Sequence, residues 1–399
     1  MENMWIILPF MLSFSVLSVH THAISEEEAL ARAIRILEQY PLVDGHNDLP
    51  LVYRARIENQ INLVNLSIDV VPQWGPSHTD IPRLRQGKSG AAFWITYVSC
   101  TKAGKDAVRA GLEQIDVIKR YIAQYPNDFQ LVTTADGIEE AFFAGKIGSL
   151  IGMEGGHMID SSFAALRLVY DMGIRYLGLT HSCSTPWATT CEEDETPPGA
   201  TIGLTNFGKM IITEMNRMGM IVDLAHVSRA AMIDALNTTK APLIFSHSNA
   251  WTLCNHERNV QDDVLEMLRE NNGLIMVTFV GSFLTCSPSS GQANVTHAAD
   301  HIEYIRDLIG VDHVGIGSDY DGMSSPPIGL EDTSKFPNLF AELIQRGWSD
   351  ADLEKLAGRN LVRVFRGVEQ VRDSLAATDG NDEWIPQEDL PINECRTTG

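Results

Sequence analysis

Positive charge is scarce in this 399-residue chain. It has 30 Lys and Arg residues against 52 Asp and Glu residues, a formal net charge of −22 at pH 7. Nucleic acids and anionic lipid surfaces are bound through basic patches, so this balance argues against both as partners. The 44% of hydrophobic residues and the overall length indicate a globular protein with a substantial core.

Two familiar sequence patterns are also missing. No cysteines are spaced as Cys-x-x-Cys, so a structural zinc site on cysteine is not expected. No Gly-x-Gly-x-x-Gly turn follows the first predicted strand, which argues against a doubly wound dinucleotide-binding sheet. Because no repeat or low-complexity tract interrupts residues 25–375 either, we expect one large domain there.

The N-terminus lacks Lys and Arg but carries an apolar run from Trp5 to Val19. The run is shorter than a typical membrane span, and Thr21-His22-Ala23 resembles a cleavage site. We therefore predict a signal peptide over residues 1–23, with an uncleaved membrane anchor as the alternative. The chain is then expected in the secretory pathway, outside the cell or at its surface.

Sequons and cysteines agree with secretion. The six cysteines are an even number, and an oxidising compartment would permit disulfides, although spacing alone does not give their pairing. Three Asn-x-Ser/Thr sequons are predicted glycosylation sites. They begin at Asn65, Asn237 and Asn294.

Short apolar runs alternate with segments of helical character. Eight runs are predicted strands: Leu42–Val43, Ala91–Val98, Ile147–Met153, Ile174–Leu179, Met220–Leu224, Leu243–Phe245, Gly273–Phe279 and His313–Gly317. Six segments are predicted helices: Asp106–Gln124, Ser161–Met172, Thr205–Met218, Ser228–Leu236, Gln261–Glu270 and Ala298–Ile309. This alternation predicts a (β/α)8 TIM-type barrel over residues 24–375. Additional C-terminal helices are expected from residue 336, and an extended tail over residues 376–399.

Histidines and carboxylates follow six of the eight predicted strands. They are His46 and Asp48, Glu154, His181, His226, His247 and Asp319. The C-terminal ends of barrel strands form the face where barrel enzymes place their active sites. A single histidine at a strand end is more often a core or hydrogen-bonding residue, but several at the same end indicate a shared site.

The residue types favour a metal site. His46 and Asp48 are two positions apart and project to the same side of an extended strand. His226 and His247 come from neighbouring strands, and the two oxygens of Glu154 could bridge two metals. Imidazole and carboxylate without thiolate suit zinc, but also cobalt, manganese or iron.

Several motifs together resemble the membrane (renal) dipeptidases, zinc peptidases on an amidohydrolase-type barrel. The resemblance runs from about Ala29 to Arg396. It rests on Asp44-Gly45-His46-Asn47-Asp48-Leu49, Glu154-Gly155-Gly156-His157, Leu179-Thr180-His181-Ser182-Cys183, Val222-Asp223-Leu224-Ala225-His226-Val227-Ser228, Phe245-Ser246-His247-Ser248, Arg258-Asn259-Val260 and Asp319-Tyr320-Asp321-Gly322.

This resemblance implies a dinuclear zinc site. His46, Asp48 and Glu154 would hold one ion, and Glu154, His226 and His247 the second, with Glu154 as the bridge. The reaction would be hydrolysis of dipeptides by a water that both ions activate. Candidate substrates are cysteinylglycine-type products of glutathione and leukotriene D4.

The resemblance also implies three further roles. Asp319 would move a proton, His181 would donate to the developing oxyanion, and Arg258 would bind the substrate's terminal carboxylate. From the sequence alone, a surface ion pair is the favoured reading of Arg258. A third carboxylate ligand is the alternative for Asp319.

The cysteines are similar to those of the family. The resemblance implies intrachain disulfides Cys100–Cys183 and Cys254–Cys286 and an interchain bridge of a homodimer at Cys395; the state of Cys191 stays open. Phe283 stands where a substrate-contacting tyrosine is expected. The family commonly carries a glycolipid anchor, whose hydrophobic signal is missing here, so membrane attachment is expected only if the natural precursor has one.

Three other functions fit the sequence less well. A catalytically silent receptor or adhesion protein on the same scaffold would be expected to have a broken ligand set. A barrel hydrolase for lactones, phosphotriesters or cyclic amides would not need Arg258. A secreted metal carrier would explain neither Asp319 nor His181.

Overall fold

Nine parallel strands form the centre of the protein. The computed structural model describes residues 1–2, 24–193, 203–286 and 293–390. The strands are β1 Leu42–Asn47, β2 Ser89–Tyr97, β3 Phe129–Leu131, β4 Ile147–Glu154, β5 Ile174–Gly178, β6 Ile221–Asp223, β7 Ile244–Phe245, β8 Leu274–Val277 and β9 Val314–Ile316. Eight of them, in the order β2-β1-β9-β8-β7-β6-β5-β4, close on themselves because β4 also pairs with β2. The predicted (β/α)8 TIM-type barrel is confirmed.

The ninth strand, β3, was not predicted from the sequence. It pairs with the first residues of β4, from Ile147 to Ser149, whereas β5 pairs with β4 only from Ile151 onward. The strand has three residues, and Leu131 at its end is 37% exposed. So short a strand with a single buried side chain leaves no apolar run to recognise.

Fifteen α-helices surround the strands within the described ranges. They are α1 Glu26–Gln39, α2 Leu49–Ile57, α3 Val71–Trp74, α4 Ile81–Gln86, α5 Ala107–Gln124, α6 Ala135–Phe143, α7 Phe163–Asp171, α8 Asn206–Met218, α9 Arg229–Thr238, α10 Asp262–Glu270, α11 Gly281–Thr285, α12 Val295–Ile309, α13 Phe336–Gln345, α14 Asp350–Glu354 and α15 Asn360–Ser374. All six predicted helices are among them. A π-helical turn, Lys355–Arg359, joins α14 to α15.

Side-chain caps set the starts of the central helices. The hydroxyls of Thr205 and Ser228 accept hydrogen bonds from backbone amides in the first turns of α8 and α9. Gly219 ends α8 with φ +81°, a left-handed conformation that glycine adopts without steric cost. These predicted boundaries therefore agree with the structure to within two residues.

The last helix closes the bottom of the barrel. Phe365 of α15 lies in the same buried cluster as Phe93, Tyr176 and Met276, whose side chains fill the barrel. Gly367 of α15 approaches Pro242, which comes just before β7, so the helix covers the N-terminal ends of the strands. The sequence predicted helices outside the barrel, and α15 specifically seals the end opposite the polar residues.

Buried His301 on α12 makes stability depend on pH. Its Nδ1 accepts from the Ala250 amide at 3.1 Å, and its Nε2 donates to the Leu284 carbonyl at 3.0 Å. Burial lowers the pKa of this imidazole to about 4, against about 6.5 in an unfolded chain. The unfolded chain therefore takes up a proton first as the pH falls below about 6.5, and stability is lost down to about pH 4.

We expect the wild-type protein to lose about 2 kcal/mol more stability than His301→Gln between pH 8 and pH 5. Glutamine can keep an acceptor and a donor at this position without titrating. Urea unfolding of both proteins at the two pH values measures the difference. An equal pH dependence in the two proteins would contradict this assignment.

Candidate metal centre

Five predicted ligands lie together at the open end of the barrel. His46 is part of β1, Asp48 begins α2, and Glu154 is the last residue of β4. His226 and His247 follow β6 and β7. All five are buried, and His226 is the most exposed at 9%. The strand-end pattern of the sequence therefore brings the residues to one place.

One carboxylate oxygen is the centre of the cluster. Glu154 Oε1 lies 3.5 Å from His46 Nε2, 3.0 Å from His226 Nε2 and 3.3 Å from His247 Nε2. The two Nε2 atoms of His226 and His247 are 3.1 Å apart. On the other side of His46, Asp48 Oδ2 is 3.4 Å from its Nε2 atom. Glu154 is therefore the residue common to both halves of the cluster.

Hydrogen bonds behind two of the rings fix their tautomers. His46 Nδ1 is 3.1 Å from the Tyr176 hydroxyl, which donates its own hydrogen to the Gly45 carbonyl. His247 Nδ1 is 2.8 Å from the Ser246 hydroxyl, which donates to Asp223. Both Nδ1 atoms must then carry the hydrogen, so each ring in its neutral form presents an Nε2 lone pair to the Glu154 carboxylate. Lone pairs and a carboxylate repel one another when nothing lies between them, but together they can bind a cation. These residues therefore fit a metal site.

The pKa values of the site residues also fit a bound cation. Burial lowers the pKa of the imidazoles of His226 and His247 well below the usual value. Burial also lowers the pKa of His46, but the carboxylates of Glu154 and Asp48 outweigh it and raise that pKa to about 10. Burial raises the pKa of Asp319 far above normal. Burial raises the pKa of Glu154, but the imidazoles of His181 and His46 outweigh it and hold that pKa well below normal. The carboxyl groups whose charge the protein leaves least compensated are therefore Asp48 and Asp319, whose pKa values burial raises.

Asp319 belongs to the half of the site formed by His46 and Asp48. One ligand atom from each of these three residues lies within 4.8 Å of the others. Gly322 makes room for them, since a Cβ atom there would be 2.3 Å from oxygens of both Asp48 and Asp319. The geometry fits a proton-transfer group beside a metal site as well as a further metal ligand.

Two of the site residues have left-handed backbones. His226 has φ +69° and Asp319 has φ +67°, which is uncommon for residues other than glycine. The His226 carbonyl is held by the hydroxyls of Thr180 and Thr190 and by the Cys191 amide. Strained backbone held by several hydrogen bonds is typical of functional sites.

A cavity of about 470 Å³ opens above the cluster. Besides Asp48, Glu154, Asp319 and two of the histidines, it is lined by Tyr97, His181, Arg258, Phe283 and Met323. His181 Nε2 is 3.8 Å from Glu154 Oε2, and its ring packs 4.2 Å from that of His226. His181 therefore faces the cavity beside the ligand cluster, and one ligand atom each of Glu154, His181 and His226 lies within 4.8 Å of the others.

Arg258 is a buried cation without a partner carboxylate. It is 5% exposed, and its Nη2 donates to the His247 carbonyl at 3.2 Å. Its Nε has no partner, and no carboxylate in the described part of the chain is within ion-pair distance. The guanidinium lies 5.4 Å from the centre of the Phe283 ring. The alternative of a surface ion pair is wrong, and the cavity offers a buried site for an anion.

Two disulfides join the loops around the cavity. Cys100–Cys183 connects the loop after Tyr97 to the loop that carries His181. Cys254–Cys286 connects the segment before Arg258 to the one after Phe283. These are the pairings that the resemblance implies. Cys191 is a buried free thiol, and Cys395 and the signal peptide lie outside the described residues.

The predicted sequons differ in their surroundings. Asn65 and Asn237 are exposed, so both side chains are open to modification. Asn294 is the N-cap of α12, and its side chain accepts hydrogen bonds from the amides of Thr296 and His297. A glycan on Asn294 would have to be accommodated beside this cap, which makes it the least favourable of the three.

Comparison with known proteins identifies the family. The model of the membrane dipeptidase family, peptidase family M19, matches residues 30–379. The chain belongs to this family. It is 44% identical to Dipeptidase 3 of Mus musculus over 350 residues, which cover 88% of this chain and 69% of the relative. Dipeptidase 3 of Macaca fascicularis is 43% identical over 357 residues, covering 89% and 71%.

Solved structures of similar proteins share the fold. A metallopeptidase from Rhodobacter sphaeroides, liganded with a phosphinate mimic of the dipeptide L-Ala-D-Ala, superposes with a TM-score of 0.73 at 26% identity. The alignment covers 82% of this chain and 99% of that one. The probable dipeptidase PvdM from Pseudomonas aeruginosa gives 0.77 at 20% identity, covering 86% and 99%, and supports the fold alone. The chain is accordingly a metallo-dipeptidase, a hydrolase, as the sequence predicted.

Sequence reasoning missed the residues that support the ligands. Tyr176, Asp223 and Ser246 lie within or next to apolar runs, where they resemble ordinary core residues. The only sequence signal for Tyr176 was the alternation along its strand, which points every second side chain into the barrel. Their partners become visible only when neighbouring strands are paired.

Proposed function

We propose that this chain hydrolyses dipeptides with two zinc ions. His46, Asp48 and Glu154 would hold one ion, and Glu154, His226 and His247 the other. The observation that carries the proposal is the convergence of three imidazole Nε2 atoms on Glu154 Oε1. When bound, a pair of zinc ions supplies a hydrolytic nucleophile near neutral pH and polarises the scissile carbonyl.

The cavity residues fit a dipeptide with a free C-terminal carboxylate. Arg258 offers two parallel N–H donors to that carboxylate, and its own buried charge becomes paired when substrate binds. His181 lies at the edge of the metal cluster, from which it can donate to the carbonyl oxygen as negative charge develops there. Because Arg258 and the cluster line one small cavity, longer peptides would not fit between them.

Asp319 is proposed to carry the proton. It faces the same cavity, and burial raises the pKa of its carboxyl group well above normal. A carboxyl group with a raised pKa can both accept a proton from water and return it to the leaving amine. Its neighbour Asp48 holds a metal in this scheme, so the two carboxylates have different roles.

The wild-type protein should contain two equivalents of zinc, and its dipeptidase activity should depend on them. Chelation should abolish hydrolysis of simple dipeptides, and addition of zinc should restore it. Metal analysis by mass spectrometry and an amino-acid release assay measure both. Full activity after complete removal of metal would contradict the proposal, and restoration by manganese or cobalt but not zinc would contradict the choice of metal.

Several substrates meet these requirements. Cysteinylglycine-type products and leukotriene D4 each offer a dipeptide with a free carboxylate, so both are proposed substrates. The phosphinate mimic of L-Ala-D-Ala bound to the Rhodobacter relative supports adding dipeptides with a D-residue at the second position. Comparing kcat/KM over these compounds ranks them. Phe283 supplies an apolar wall without a hydroxyl, which favours apolar side chains there.

The cellular setting is also a proposal. In the described residues no helix is both long and apolar enough to cross a lipid bilayer. The predicted signal peptide over residues 1–23 and the exposed sequons at Asn65 and Asn237 support an extracellular or surface enzyme. A homodimer bridged through Cys395 is proposed on the family resemblance, and non-reducing electrophoresis of wild type and Cys395→Ser tests it. The boundaries of the barrel domain at residues 24 and 375 and of the tail beyond it stay a prediction.

A further inference from the structure

A chain of hydrogen bonds runs from a buried carboxylate to one of the ligand rings. Asp223, at the end of β6, is 1% exposed. Its Oδ2 accepts from the Ser246 hydroxyl at 2.7 Å, and its Oδ1 accepts from the backbone amides of Ser246 at 2.8 Å and Ala225 at 3.1 Å. Ser246 Oγ in turn lies 2.8 Å from His247 Nδ1. Asp223, Ser246 and His247 thus form a continuous relay across two strands.

The direction of each bond in the relay is determined. A carboxylate accepts and cannot donate, so the only hydroxyl hydrogen of Ser246 goes to Asp223. Ser246 Oγ must then accept from His247, which places the ring hydrogen on Nδ1 and leaves Nε2 unprotonated. By contrast, His226 Nδ1 has no partner in the described residues. His247 is therefore the ring of this pair whose tautomer the protein fixes.

A second carboxylate clamp offers a natural comparison. Asp44 accepts from the Ser318 hydroxyl at 2.6 Å, from the Ser318 amide at 2.8 Å and from the His46 amide at 3.2 Å. This is the same pattern on another side of the barrel. The Ser318 hydroxyl also lies 3.3 Å from the His46 carbonyl, but among the described residues it bonds to no imidazole. The His46 ring is held by Tyr176 instead.

Close packing fixes the backbone at Ser246. Gly317 lies so close that a Cβ atom there would be 1.8 Å from the Ser246 carbonyl oxygen. The same serine is fully buried, with its amide bonded to Asp223. Its hydroxyl lies between Asp223 and His247, with the Tyr176 hydroxyl also in hydrogen-bond reach.

We propose that Asp223 and Ser246 are positioning residues that set the affinity of the metal position formed by His226 and His247. They do so by holding His247 in the tautomer that presents Nε2, whereas the His46 ring of the other position is held directly by Tyr176. This inference rests on the proposed two-metal function. Hydrogen-bond partners behind a ligating histidine contribute about 10–100-fold to metal affinity.

The matched variants Ser246→Ala and Ser318→Ala test the relay. Each removes one hydroxyl donor from a buried carboxylate, but only Ser246→Ala releases an imidazole. Zinc titration of the apoproteins against a chromophoric chelator should show one of two binding steps weakened about 10–100-fold in Ser246→Ala. Ser318→Ala should retain both steps. Equal weakening in the two variants, or wild-type affinity in Ser246→Ala, would overturn the proposal.

Asp223→Asn provides an independent readout. The asparagine amide can donate to Ser246, which turns the serine hydroxyl towards His247 Nδ1 and favours a hydrogen on Nε2. Nitrogen NMR shifts of labelled histidine in the apoprotein should then show one ring changing tautomer, and Asp44→Asn should leave that ring as it is. An unchanged tautomer in Asp223→Asn would refute the relay.

These experiments separate the two hypotheses. If the wild-type protein binds fewer than two zinc ions, the proposed function fails whatever the variants do. If it binds two, and the serine variants behave alike, only the relay fails.

Discussion

Glu154→Gln should lower kcat/KM for dipeptide hydrolysis by at least about 1000-fold and should reduce the bound zinc to below two equivalents. Glutamine has the same size as glutamate, so packing is retained. The substitution removes the negative charge that faces the Nε2 atoms of His46, His226 and His247 within 3.5 Å. It also replaces one carboxylate oxygen by an NH2 group, whose nitrogen has no lone pair available for a metal. Steady-state kinetics and metal analysis of the purified variant measure both effects.

Glu214→Gln is the matched control. Glu214 is also buried, at 2% exposed, but it lies on α8 and is paired with Arg167 and Arg217. Its neutralisation should lower the melting temperature while leaving kcat/KM and zinc content close to wild type. The bridging role of Glu154 would be refuted if Glu154→Gln kept full activity and two equivalents of zinc.

The barrel and the location of its site were predictable for one physical reason. A strand that is covered on both faces appears in the sequence as a short apolar run, and in a (β/α)8 barrel all the strands are parallel. Residues that come directly after such runs, such as Glu154 and His247, must therefore meet at one end. The sequence shows the runs and the polar residues at their ends, and the geometry of the fold supplies the convergence.

The environment of each side chain could not be predicted in the same way. Arg258 lies in an irregular segment after β7, and nothing in its neighbours reveals that it is buried without a counter-ion. Its position depends on Asn259, whose amide donates to the carbonyls of both Cys254 and Phe283. The contact with Phe283 joins residues that are 24 positions apart. Periodicity carries no information about them.

The supporting residues were hidden for a different reason. Tyr176 lies in β5 and Ser246 in the turn after β7, and each role depends on a partner that lies on another strand. Tyr176 bonds to His46, which is 130 positions earlier. In the sequence, a tyrosine inside an apolar strand is interpreted as a core residue, and Tyr176 is indeed part of the barrel core. One side chain thus fills the barrel and orients a ligand.

Wild-type enzyme should cleave dipeptide amides with kcat/KM at least about 100-fold lower than the corresponding free dipeptides. Arg258 is the reason for the difference, because its buried guanidinium has no protein carboxylate to pair with among the described residues. A free carboxylate supplies the missing charge, whereas an amide leaves the guanidinium buried and unpaired. Kinetic comparison of one dipeptide and its C-terminal amide tests this requirement directly.

The variant Arg258→Met can be compared with wild type on both the free dipeptide and its amide. Methionine keeps much of the apolar volume beside Phe283 but removes the charge, so the free dipeptide should lose at least about 100-fold in kcat/KM. The amide should lose little, and the variant should no longer distinguish the two substrates. Zinc content should stay at two equivalents, since Arg258 reaches only the backbone of His247. If Arg258→Met still preferred the free dipeptide as strongly as wild type, a group other than Arg258 would have to bind the carboxylate.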